Sequence, residues 1–97
     1  MSSQELQFLN LRNLPARLNA EEAAYLLGFK SHEIPVLVSG GLLKPLGNPP
    51  MNGVKHFATV TVEELRRDAK WLTRASDRIV HFWKTKNLRR KNHGRFD

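Results

Sequence analysis

Ala20, Ala23, Ala24 and Leu27 recur at the three-and-four spacing of a single helical face. Asn19 stands just before them and Glu22 three positions on, so two of the amides that a helix start leaves unpaired find side-chain acceptors. The helix is predicted to begin at Ala20. Leu18 and Ala23 bracket the cap at the spacing of a hydrophobic staple, and Gly28 tolerates the left-handed conformation that follows a helix end. Past Phe29 and Lys30, Ser31 predicts a second cap; Ile34, Leu37 and Val38 then share a face until Ser39-Gly40-Gly41 stops the helix. Pro35 falls in the first turn, where its missing amide costs little. Two short helices joined by a few residues that include glycine make a helix-turn-helix.

The pattern on either side is less regular. Leu6, Phe8, Leu9, Leu11 and Leu14 fit neither a helical stripe nor strict alternation, so residues 1–14 read as a short helix or an extended arm packed on its own domain and closed by Pro15. Arg17-Leu18 adds a short edge strand. Leu42 to Leu46 reads as a first wing strand that Pro45 confines to an edge, Gly47 to Gly53 as a loop, and Val54 to Val60 as a second strand with Phe57 inward. Thr61 with Glu64 predicts a capping box that opens a helix at Val62. From there Leu65, Ala69, Leu72, Ser76, Ile79 and Trp83 recur as a heptad seam shorter than a coiled coil requires, and Trp71, Ala75 and Phe82 form a second apolar set. The segment is either one helix or two, Val62 to Arg74 and Asp77 to Lys86, with a bend at Ser76-Asp77. Such a helix calls for burial against its own domain, a second copy, or both. Docking within the chain falls to Trp71 and Leu72, and homodimerisation to Ile79, Phe82 and Trp83.

EEAAYLLGF, a second short helix, GGLLKPLG and a strand resemble the winged helix-turn-helix of the excisionase and MerR families of DNA-binding proteins. Glu22, Ala23, Ala24, Leu27, Gly28, Gly41 and Leu43 fall on matching positions, as does Thr61 to Leu65 after the wing, so the resemblance spans Leu18 to Leu65. It implies a mainly α fold with a small β wing plus a C-terminal helix, and a second helix that enters the major groove. It also implies a transcriptional regulator or recombination accessory factor, and the MerR side adds dimerisation through the helix after the wing. One departure stands out: Pro35 and Val36 occupy positions where two basic residues are usual, and Ser31 to Leu43 contains no Lys or Arg.

Length then limits the organisation. A chain of 97 residues with 40% hydrophobic content supports one small domain with appendages. The divisions read as 1–14, the helix-turn-helix domain 15–70, a C-terminal helix 71–86, and a basic, disordered tail 87–97. Without cysteine, neither disulfides nor thiolate metal sites prop up the core. No stretch reaches the roughly 18 apolar residues of a membrane span, and MSSQELQFLN lacks a basic-then-apolar leader, so the expected location is cytoplasmic.

Charge changes the picture through its placement. Residues 1–65 hold five basic and six acidic side chains, a balance of −1; residues 66–97 hold eleven and three, a balance of +8. Such asymmetry steers a chain toward polyanions. The expected partner is double-stranded DNA. Ser31 and the adjoining amides would meet a phosphate and His32 a base edge, beside Lys30. On the wing, Lys44, Asn48, Asn52, Lys55 and His56 would lie along phosphates or the minor groove; Arg66, Arg67 and Lys70, then Lys84, Lys86, Arg89, Arg90 and Lys91, would hold the backbone. The alternative is a protein-interaction or RNA-binding module that docks through Pro35, Val36 and Val38 and uses the basic tail on RNA or an acidic protein.

Catalysis finds no support. His32, His56, His81 and His93 are scattered without ligand spacing, so no metal or cofactor is expected. Glu21-Glu22 and Glu63-Glu64 sit in first turns of expected helices, where acids favour the helix dipole.

Overall fold

The computed structural model describes residues 2–94, with side chains described through Leu88. Asn19 starts a helix as its spacing predicts. The Glu22 amide donates to Asn19 Oδ1 at 2.8 Å and the Asn19 amide donates back to the Glu22 carboxylate at 3.0 Å, opening α2 (Ala20–Leu27). Gly28 closes it at φ 81°. The N-terminal segment takes the first of its two alternatives, the helix α1 (Ser3–Leu9), capped by Ser2 and anchored by buried Phe8 against Tyr25 at 5.8 Å. Tyr25 Oη donates to Glu21 at 2.6 Å, which holds the phenol above its usual pKa.

The short strand β1 (Arg17–Asn19) is half of the sheet. It pairs antiparallel with β2 (His56–Ala58), Leu18 opposite Phe57, and both side chains are buried. The Thr59 amide donates to the Ala16 carbonyl at 3.0 Å, which prolongs the pairing by one step, and Thr59 Oγ1 donates to the Pro15 carbonyl. The expected hairpin partner, Leu42 to Leu46, does not form a strand. One bond survives, from the Leu46 amide to the His56 carbonyl at 2.8 Å. Pro45 has no amide to give, and Leu43 turns into the core at 2% exposure.

After Glu33 the helix α3 (Ile34–Ser39) runs for six residues with Pro35 in its first turn. Ser31 does not cap it. Ser31–Glu33 forms a 3-10 turn instead, and the Lys30 amide donates to the Glu33 carboxylate at 2.7 Å. Helix α4 (Thr59–Leu65) starts earlier than the spacing of Thr61 and Glu64 implies, because the ties from Thr59 to Pro15 and Ala16 set its first turn. Thr61 is therefore already helical and no capping box forms.

Of the two alternatives, a break does occur, but at Arg66–Asp68 rather than at Ser76-Asp77. There the Asp68 carboxylate accepts the Trp71 amide at 3.1 Å and opens α5 (Ala69–Gly94), 26 residues that rise about 39 Å without interruption. Asn87 to Gly94, expected in a tail, continue this helix; residues 95–97 of that tail lie outside the described residues. The buried line along α5 is Trp71, Ala75 and Ile79, with Phe82 and Trp83 half-buried beyond them. Ala69 and Ser76 of the expected heptad seam face solvent. The second apolar set packs together with Ile79 of the seam, and Leu65, Leu72 and Trp83 lie partly against the same core, because α5 docks on its own domain.

Candidate nucleic-acid interface

Three contacts fix how α5 passes α3. Trp71 Nε1 donates to the Leu42 carbonyl at 2.8 Å, just beyond the C-terminal end of α3. Arg78 lies against Gly40, where an added Cβ would sit 2.8 Å from Arg78 Nε. Trp83 meets His32 edge to face at 5.9 Å, at the N-terminal end of the turn that leads into α3. The order 71 to 42, 78 to 40 and 83 to 32 means that α5 runs antiparallel to α3. Residues after Lys86 therefore continue past the end of α3 that carries Lys30, Ser31 and His32.

These three residues are exposed. Lys86 stands beside them, its Nζ 5.0 Å from the Trp83 ring centre in a cation–π contact that leaves the ammonium solvated. A groove of about 480 Å³ separates the two helices, lined by His32, Pro35, Val36, Ser39, Phe82, Trp83 and Lys86. Val36 is 5% exposed in its wall. That explains the missing basic residue: a side chain buried at this position is apolar, since a guanidinium there would lose its hydration. It also removes Val36 from the docking surface that the sequence suggested with Pro35 and Val38.

Sequence reading missed Arg78. Its Nε is buried with no hydrogen-bond partner among the described residues, and it lies against the carbonyl end of α3, where positive charge is favoured. The signal was available: Arg78, Phe82 and Lys86 follow one another at intervals of four along a helix. Together with His81 and Thr85 they line a second hollow on α5.

The other candidates fall into separate groups. Lys44, Asn48 and Asn52 are exposed on the segment after α3, while Lys55 is half-buried and donates to the carbonyls of Met51 at 2.9 Å and Gly53 at 3.3 Å. His56 is half-buried in β2. Arg66 and Arg67 share Glu63 at 3.5 and 3.6 Å on the exposed corner before α5, with Lys70 exposed one turn on. Lys84 is exposed on α5; the side chains of Arg89, Arg90 and Lys91 lie outside the described residues.

The dimer surface assigned from sequence is used within the chain. Ile79 is 7% exposed in the core, and Phe82 and Trp83, whose rings meet edge to face at 5.2 Å, pack partly against that core. On its other side α3 borders a wider groove of about 530 Å³, lined mainly by Ile34, Pro35, Val38, Met51 and Phe57. Among the described residues no helix is long and apolar enough to cross a membrane, and no group of three or more His, Cys, Asp or Glu stands together. No protein family, curated protein or solved structure matches the chain.

Proposed function

We propose that this chain binds double-stranded DNA through a winged helix-turn-helix built from α2, α3 and the β2 segment, resembling the excisionase and MerR families. It grips mainly by phosphate contacts and serves as a regulator or recombination accessory factor. The observation that carries the proposal is the antiparallel passage of α5 over α3, which places Lys86 at the end holding Lys30, Ser31 and His32 and carries the helix on beyond it. Base-reading side chains of a helix-turn-helix come from that end of the second helix. Here the end offers one hydroxyl, one imidazole and cations. Affinity is then dominated by counterion release, with a modest contribution from base edges.

Titration of a random duplex by fluorescence anisotropy tests this. With four to seven phosphate contacts, affinity should fall by roughly two to four orders of magnitude between 50 and 200 mM salt. An affinity that is flat over that range rejects the proposal.

A second reading, a protein-interaction module, is favoured by the apolar groove between α3 and the 47–55 segment. An apolar segment of a partner would fill it. Pro35 is exposed on its rim, in a first helical turn where an acid is tolerated, so Pro35→Glu should leave the fold intact. Under this reading the substitution weakens a partner complex at least about tenfold, as one desolvated charge is worth more than 1.4 kcal/mol. Pull-down of partners from a lysate with both forms, followed by affinity measurement, decides it; equal retention rejects the groove as the docking surface.

A further inference from the structure

The segment after α3 carries three solvent-facing apolar side chains: Met51 at 89%, Val54 at 80% and Leu46 at 42% exposure. Scattered apolar residues on a surface need no explanation. These three share one loop, and the backbone beneath Met51 is held from both sides. The Gly53 amide donates to the Pro50 carbonyl at 2.8 Å, closing a turn so tight that a Cβ on Gly53 would lie 2.8 Å from Pro50 Cγ. Lys55 Nζ crosses the base of the turn to the carbonyls of Met51 and Gly53. Pro49 and Pro50 restrict the chain leading in. The loop is thus a fixed support with a free thioether at its tip, flanked by the exposed amides of Asn48 and Asn52.

The stretch of chain that carries this tip holds charge of one sign. Between Glu33 and Glu63 there is no acidic residue, and the charged side chains are Lys44 and Lys55. These two cations favour a polyanion beside the loop, and a neutral apolar tip can go where its hydration shell must be shed. In duplex DNA that place is between stacked base pairs, reached from the minor groove, whose degenerate edge pattern suits asparagine amides.

The geometry points to the Gly47–Gly53 loop as a minor-groove wedge, in which Met51 enters a base step and unstacks it while Asn48 and Asn52 meet the adjoining edges. This rests on the DNA-binding reading above. Pyrimidine–purine steps unstack most readily, so the wedge settles there, and it kinks the duplex toward the major groove.

The test uses the full chain and a duplex of about 20 base pairs with a central TA step, long enough for one small domain. 2-aminopurine replaces the adenine of that step, and a donor–acceptor pair labels the two ends. Expected is a rise of several-fold in 2-aminopurine emission on binding and a shorter end-to-end distance. Met51→Ala should abolish both while changing low-salt affinity by less than about threefold, since the ionic contacts remain. The side chain is almost wholly in water, so the substitution does not threaten folding. Binding without any rise in emission overturns the wedge and leaves the DNA reading standing, as does an equal rise with Met51→Ala. Absence of duplex binding at low salt overturns both. Loss by Met51→Ala of binding to anionic phospholipid vesicles, with base unstacking unchanged, assigns the loop to a membrane surface and also overturns the wedge.

Discussion

Truncation after Lys84 is expected to lower affinity for random duplex by at least about a hundredfold at moderate salt and to flatten its salt dependence by roughly three to four units of slope. The deletion removes Lys86, Arg89, Arg90, Lys91 and Arg95, five of the eleven basic residues beyond Leu65. It spares Trp71, Ala75 and Ile79, which anchor α5, as well as Phe82 and Trp83. Thermal stability should therefore change little, and any loss of binding is a loss of contacts rather than of fold. Paired salt titrations of the full and truncated chains read the difference in slope directly. Should the two slopes coincide, the basic end of α5 makes no phosphate contact and the proposed grip is wrong.

The largest effect on stability is expected at Trp71. Its indole is 3% exposed, meets Phe29 edge to face at 6.3 Å, and ties α5 to the segment after α3 through the Leu42 carbonyl. Trp71→Ala should cost about 3–5 kcal/mol, a large share of the roughly 5–15 kcal/mol that holds a small domain together. Trp71→Phe keeps most of the apolar bulk and leaves the carbonyl without its donor, so about 1–2 kcal/mol is expected. Urea unfolding followed by the emission of Trp83 measures both variants in the same way. A cost under about 1 kcal/mol for Trp71→Ala would mean that α5 is not seated by this residue.

Local signals were legible where the chemistry is local. Asn19, Glu22 and Gly28 define α2 by contacts three or four residues apart, and the structure places each as the spacing implies. Phe57 was legible as a buried residue because its bulk outweighs an ambiguous alternation. The pairing of the sheet was less so. Arg17–Asn19 carries too few residues to show a period, and its partner lies nearly 40 positions away. The helix boundary at Arg66–Asp68 was obscured because Thr61 and Glu64 offered a nearer, stronger-looking cap, while Thr59 is held by Pro15 and Ala16, which no local pattern reports.

The interface was legible in part. The excess of positive charge in the last third is visible in the sequence, but the placement of Lys86 beside Lys30 to His32 depends on the direction in which α5 crosses α3. Val36 shows the same limit. As a letter it looks like a defect in a recognition helix; in place, it is a buried apolar side chain in the wall of the groove that Phe82 and Trp83 also line.

Two α-helices in side-chain contact form a ridge about 20 Å across, whereas the major groove opens about 12 Å. On the DNA-binding proposal, α5 along one flank would keep α3 from sinking to the groove floor, so that it would straddle a rim and touch sugars and phosphates first. Any discrimination among duplexes should consequently be shallow, with affinities for unrelated sequences of equal length falling within about one order of magnitude at a fixed salt concentration.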